Sequence, residues 1–210
     1  MIIHLQHKPT RNQPMVPAKS LNVSTKGIAN SVSSSPLRQV LIVPHSTLIE
    51  FGLAPGDLRE NLVVDDTSLP QPLHDLTSGT VLTVGGVRIR LTVHCEPCGR
   101  LSSLVPKLRM IMHKRGYLGT FLADGVIYIG DSVCSEGQQH EIIPYDIKER
   151  IAWYLRQRKT PVEVSKLVYD VGLSLSYCRA IPKLTKGLGL GQMILFKRDR
   201  ANDATRALFE

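Results

Sequence analysis

Between Arg38 and Val133 the apolar residues come in strand-length runs, each closed by turn-forming residues, and this restricts the chain more than any other feature. Val40-Leu41-Ile42-Val43 stops at Pro44, and Asn61-Leu62-Val63-Val64 stops at Asp65-Asp66. Residues 80–84 and 87–93 flank Gly85-Gly86, and paired glycines admit the positive φ angles of a tight hairpin turn. In the second arm Val87, Ile89, Leu91 and Val93 alternate with Arg88, Arg90 and Thr92, the period of a strand with one buried face. Val126-Ile127-Tyr128-Ile129, before Gly130-Asp131, is a further strand. Short strands with turn punctuation and few helices predict a compact, barrel-like, mainly β domain.

One stretch changes period. Leu104, Leu108, Ile111 and Met112 share a helical face, so a helix is predicted over residues 101–115, with Pro106 near its first turn and Gly116 as its C-cap. Upstream, residues 1–36 carry few periodic signals, and Ser31-Val32-Ser33-Ser34-Ser35-Pro36 reads as a mobile loop. No apolar run approaches the ~20 residues of a membrane span. The opening MIIHLQHKPTRNQP lacks the continuous apolar core of a secretory signal, so export is not expected.

The 26 Lys and Arg outnumber the 18 Asp and Glu, for a net charge of +8. The excess is uneven: the first 144 residues are net +2 and the last 66 net +6. Past Pro144, residues 145–158 and 162–170 read as helices, and Ser174 is placed to cap a third helix running to about residue 181. Residues 192–196 are a strand candidate, followed by a polar tail, 197–210. The expected organisation is a β domain over 1–143, a helical module over 144–190, and a strand with its tail over 191–210. The segment 162–177 also has the form of a helix-turn-helix around Gly172-Leu173-Ser174. Pro182 shortens its second helix, so nucleic-acid binding is expected to be weak, salt-sensitive and sequence-indifferent, or absent.

Chemistry concentrates at Val93-His94-Cys95-Glu96-Pro97-Cys98-Gly99-Arg100, where a strand gives way to a loop. Three readings of the two cysteines compete. A structural zinc site needs a second ligand pair, whereas Cys134 and Cys178 stand far apart with no neighbouring histidine at ligand spacing. A thioredoxin-like redox pair needs a βαβ setting that the pattern lacks. A single functional thiolate with a passive neighbour fits best. Four cysteines in this spacing suit a reduced, cytoplasmic chain.

In order along the chain, Arg38-Gln39-Val40, Pro55-Gly56-Asp57-Leu58-Arg59-Glu60-Asn61-Leu62, Cys95-Glu96-Pro97-Cys98, Arg115-Gly116-Tyr117 and Gly130-Asp131-Ser132-Val133 resemble the MOSC domain family, over roughly residues 14–134. The resemblance implies a MOSC-like β-barrel that binds the molybdenum–pyranopterin cofactor, with a small helical appendage. It implies that Cys98 is the catalytic position and supplies the metal thiolate, and that Arg59 and Asn61 contact the cofactor. Many members carry a Gly-x-x-Gly-Asp-Arg-like segment before the Arg-Gln-Val strand. Here Lys26-Gly27-Ile28-Ala29-Asn30-Ser31 stands in its place, which leaves Lys26 and Arg38 as candidate phosphate partners. The implied activity is molybdenum-dependent reduction of a small N-hydroxylated substrate. No GxGxxG fingerprint in strand–turn–helix context is present, so the electrons are expected from a separate donor protein. His94 and His113 are candidate proton carriers, with a packed or surface role as the simpler reading. Two other functions are open: a sulfur carrier using a Cys98 persulfide, and a non-enzymatic sensor with a DNA-binding tail.

Overall fold

The computed structural model describes residues 1–11, 13–32 and 35–196. Its contacts divide into two units, Met1–Tyr145 and Asp146–Glu210. In the first unit the strands are β1 (Ile2–His7), β2 (Val16–Ala18), β3 (Ser20–Ser24), β4 (Gly27–Ile28), β5 (Val40–Pro44), β6 (Leu62–Val64), β7 (Thr80–Val84), β8 (Val87–His94), β9 (Tyr117–Phe121), β10 (Gly125–Tyr128) and β11 (Val133–Gln138). A short helix, α1 (His45–Phe51), follows β5.

The hairpin forms where the alternation puts it. Val84 pairs with Val87 across Gly85-Gly86, and Val87, Ile89, Leu91 and Val93 are buried while Arg88 is exposed. Thr92 is also buried, and its hydroxyl donates to the Leu37 carbonyl at 2.7 Å. From this hairpin the main sheet extends in the order β11-β7-β8-β9-β5-β6-β1-β2 and curls as a half-barrel. Its pairs are antiparallel except β5 with β6, which run parallel because α1 carries the chain back across between them. A second sheet, β10-β3-β4, adds Leu21, Val23, Ile28 and Ile127 to the same core. The mainly β, barrel-like reading therefore holds.

Of three local expectations, two are corrected and one holds. Residues 1–36 are not irregular, since four strands lie there; β1 buries Ile2 and Leu5 but shows no strict alternation for the eye to find. The run at Val40 does stop at Pro44, which ends β5 and leads into α1, and α1 closes on Gly52 in the left-handed conformation. The helix over 101–115 does not form. Two 3-10 turns, Gly99–Leu101 and Leu108–Ile111, stand in its place, with Lys107 extended between them beside Pro106. Of the expected apolar face only Ile111 is buried, together with Leu101 and Val105, which lay outside that face.

The second unit has its own core of Ile151, Leu155, Val162, Leu167, Val168, Val171, Ile181 and Ile194. Helix α2 (Ile147–Arg156) is capped by the Asp146 carboxylate, which accepts from the Glu149 amide at 3.0 Å. Strand β12 (Val162–Glu163) leads into α3 (Val164–Asp170), and β13 (Ile194–Leu195) pairs parallel with β12. The third helix expected after Ser174 is instead a 3-10 turn, Leu175–Arg179, and the four-residue α4 (Ile181–Leu184). Pro182 sits in the first turn of α4, where its missing N–H costs nothing, rather than ending a longer helix. No recognition helix of a helix-turn-helix is built here among the described residues. The polar tail 197–210 lies outside the described residues.

Candidate functional site

Strand β8 delivers the Cys95–Cys98 loop to one end of the sheet, where the Cys95 amide still bonds the Gly116 carbonyl at 2.9 Å. Cys95 is 2% exposed, and burial pushes its thiol pKa up against the opposing effect of Arg115 and Arg38. Cys98 is half-buried and free. Of the two sulfurs only Cys98 is presented to a ligand.

Two arginines fix this loop. Arg38 donates to the Glu96 carboxylate at 3.0 Å and lies 3.8 Å from the Cys95 sulfur. Arg115, 6% exposed, donates to the Glu96 carbonyl at 2.5 Å, to the Cys98 sulfur at 3.6 Å and to the Leu58 carbonyl at 3.3 Å. It thereby ties the cysteine loop to the loop at residues 55–61. Glu60 shapes that second loop from inside: fully buried, it accepts from the Gly56 amide at 2.5 Å, and its second oxygen has no partner. Burial raises the Glu60 pKa, while the Gly56, Glu60 and Leu58 amides and the Asp57 charge act in opposite senses. The turn leaves Arg59 with φ of 64°, a left-handed conformation uncommon for any residue but glycine.

Cations act on one another beside the Arg59 turn. Burial, then Arg100 and Arg115, lowers the Arg59 pKa, and Cys98 opposes them. Burial, then Arg59 and Arg100, lowers the Lys8 pKa. Arg115 therefore touches the Cys98 sulfur, Arg59 interacts with both, and Arg100 and Lys8 adjoin Arg59 in turn. Cations that mutually depress one another gain when an anion arrives between them.

The sequence-based candidates separate. Cys98 and Arg59 are brought together. Arg38 lies at the loop, engaged with Glu96. Asn61 is spent inside the sheet: its amide oxygen accepts from the Leu41 N–H at 3.0 Å and its nitrogen donates to the Gln6 carbonyl at 3.2 Å, bracing β5 to β1. Lys26 is exposed on the turn between β3 and β4, and its side chain shares no hydrogen bond or ion pair with the Cys98 cluster among the described residues. Lys8, Arg115 and Glu60 were not singled out as site residues. Lys8 sits just past β1 and reaches the site only because β1 pairs with β6, a long-range fact with no local signal.

His94 packs against Tyr117 at 4.1 Å between ring centroids and against His113 at 5.2 Å. Burial, then His113 and His74, lowers its pKa to about 4, so it is a neutral, packed side chain at pH 7. Among the described residues no three His, Cys, Asp or Glu side chains are placed to hold a metal ion. A metal here would have Cys98 as a single protein ligand, which suits one already chelated by a cofactor's sulfurs.

A model of the MOSC domain matches residues 31–134. Among solved structures, YiiM from Geobacillus stearothermophilus is 15% identical over 88% of this chain and 98% of its own, with a TM-score of 0.54. The YuaD protein from Bacillus subtilis is 17% identical over 63% of this chain and 94% of its own, with a TM-score of 0.51. At these identities the two structures bear on the fold alone. No curated protein matches the chain. Cys98 and most of the curled half-barrel lie within residues 31–134, and that stretch of the chain is a MOSC domain. Some members of that family bind the molybdenum cofactor.

Proposed function

We propose that this protein binds the molybdenum–pyranopterin cofactor and reduces N-hydroxylated compounds in the cytoplasm, with electrons from a separate donor protein. The observation that supports it best is the half-buried Cys98 sulfur, 3.6 Å from the Arg115 guanidinium and beside Arg59, with Arg100 and Lys8 adjoining Arg59. Soft sulfur suits molybdenum, and clustered guanidinium and ammonium groups suit a terminal phosphate. When bound, the cofactor supplies the two-electron chemistry. The chain's own residues hold and orient: Cys98 is the ligand, Arg59, Lys8 and Arg100 pair with the phosphate, and Arg115 keeps the two loops in register. Overall, R–NH–OH with two electrons and two protons gives R–NH2 and water, the N–O bond breaking and its oxygen leaving as water.

A second reading shares the same thiol. Because Cys95 is buried and Cys98 is not, Cys98 alone could take the outer sulfur of a donor persulfide, the donor leaving as a thiolate. Molybdenum and pterin content per chain, measured on protein from a cofactor-making host, separates the two. Near-stoichiometric loading supports the reductase. Sulfane sulfur on Cys98 without molybdenum overturns it in favour of the carrier.

A further inference from the structure

Immediately after Cys98 the chain forms an exposed strap, residues 99–113, pinned from beneath by the buried side chains of Leu101, Val105 and Ile111. Its outer surface is unusual in two respects. Leu104 (37% exposed), Met110 (52%) and Met112 (46%) face solvent. No acidic residue occurs between Glu96 and Asp124, whereas Arg100, Lys107, Arg109, Lys114 and Arg115 do. Arg115 is buried in the site and Lys114 pairs with Glu50 at 2.6 Å. Arg100 belongs to the Cys98 site, whereas Lys107 and Arg109 are exposed and form no ion pair among the described residues. Exposed methionines and a leucine set among unpaired cations make a surface that an acidic protein face can cover, with adaptable apolar contacts at its centre and opposite charges at its rim.

We propose that residues 99–113 dock the acidic face of an electron-carrier protein beside Cys98. The carrier's role rests on the reductase reading, and the docking itself does not. Charge complementarity argues for this occupant: it steers encounter and keeps a small interface short-lived, as delivery of electrons in successive visits requires. The three buried anchors hold the strap in place, so its charges are already arranged before the partner arrives.

The test titrates the full chain with oxidised flavodoxin, an acidic carrier, and with basic cytochrome c as a counter-probe, at about 20 and about 200 mM salt. Flavodoxin is expected to bind, with affinity falling about tenfold or more over that salt range, and cytochrome c is expected not to bind. The double variant Lys107→Glu/Arg109→Glu should weaken binding about tenfold or more, and Met110→Ser/Met112→Ser several-fold without changing the salt dependence. Lys148→Glu/Lys159→Glu, an equal change of charge in the second unit, should have little effect. The proposal is overturned if flavodoxin does not bind, if both charge doubles act alike, or if cytochrome c binds as well. It is also overturned if duplex DNA or anionic vesicles bind through Lys107 and Arg109 more tightly than flavodoxin. Binding is read without molybdenum, so an empty cofactor site would defeat the reductase reading and leave this result standing.

Discussion

Arg59 and Asn61 stand two positions apart in one motif, yet the fold gives them different tasks. The Asn61 side chain stands in for a peptide unit between β5 and β1, so Asn61→Ala strands the Leu41 N–H and the Gln6 carbonyl. Each buried orphan costs about 1–3 kcal/mol, and a loss of about 2–4 kcal/mol in urea unfolding is expected. Arg59→Ala should cost under about 1 kcal/mol of stability, as a side chain that points into a cation cluster gives the fold little, while lowering pterin retention. Equal losses of stability in the two variants would contradict this division. His94 makes a separate prediction. Its pKa of about 4 when folded lies below the ordinary value of 6.5, so the unfolded chain takes up the proton first as pH falls. The neutral imidazole's contribution is complete above pH 6.5 and is lost progressively toward pH 4. His113, His74, Asp75, Tyr117 and Tyr145 are the titratable groups around it, and replacing the ring with an uncharged one leaves them in place. His94→Phe should therefore lose less stability than the parent between pH 7 and pH 5 in urea melts; parallel losses would count against it.

Among the elements, the β7–β8 hairpin was readable because both its signals are local, the alternation and the Gly85-Gly86 turn. The strap departs from the predicted helix because Leu104, Leu108, Ile111 and Met112 imitate a helical face, and sequence spacing does not say which apolar residues the rest of the fold leaves room to bury. The first strands were missed for the complementary reason: β1 is held by pairing with β6 and β2, and no pattern within Ile2–His7 reports partners so far along the chain. Cys98 and Arg100 are legible in one motif, but Lys8, Arg59 and Arg115 come from three other segments. Gly116 joins these scales. Its φ of 104° favours glycine, and a Cβ there would collide with the Ile42 carbonyl, where β9 pairs with β5. Gly116→Ala should cost on the order of 2–3 kcal/mol and shift Arg115, its neighbour, off the Cys98 loop. A thermal melt unchanged from the parent would show that this close approach carries no strain.

At the scale of the whole molecule, each unit has a core of its own, one built on β-strands and one on α2 and α3. In the second unit Arg150 is fully buried and donates to the Val171 carbonyl at 3.3 Å, an internal tie between helix and loop. A fragment of residues 1–145 should therefore stay soluble, keep a β-type circular dichroism spectrum and unfold cooperatively. Aggregation with exposed apolar surface would show that the β unit relies on the rest of the chain. The central claim is that Cys98 alone, of the two cysteines in its loop, holds molybdenum within the cation group. Molybdenum per chain, measured side by side for the parent, Cys98→Ser and Cys95→Ser from a cofactor-making host, tests it most directly. The account predicts loading in the parent, loss to background in Cys98→Ser and substantial retention in Cys95→Ser. Equal molybdenum in the parent and Cys98→Ser, or none in any of the three, would contradict it.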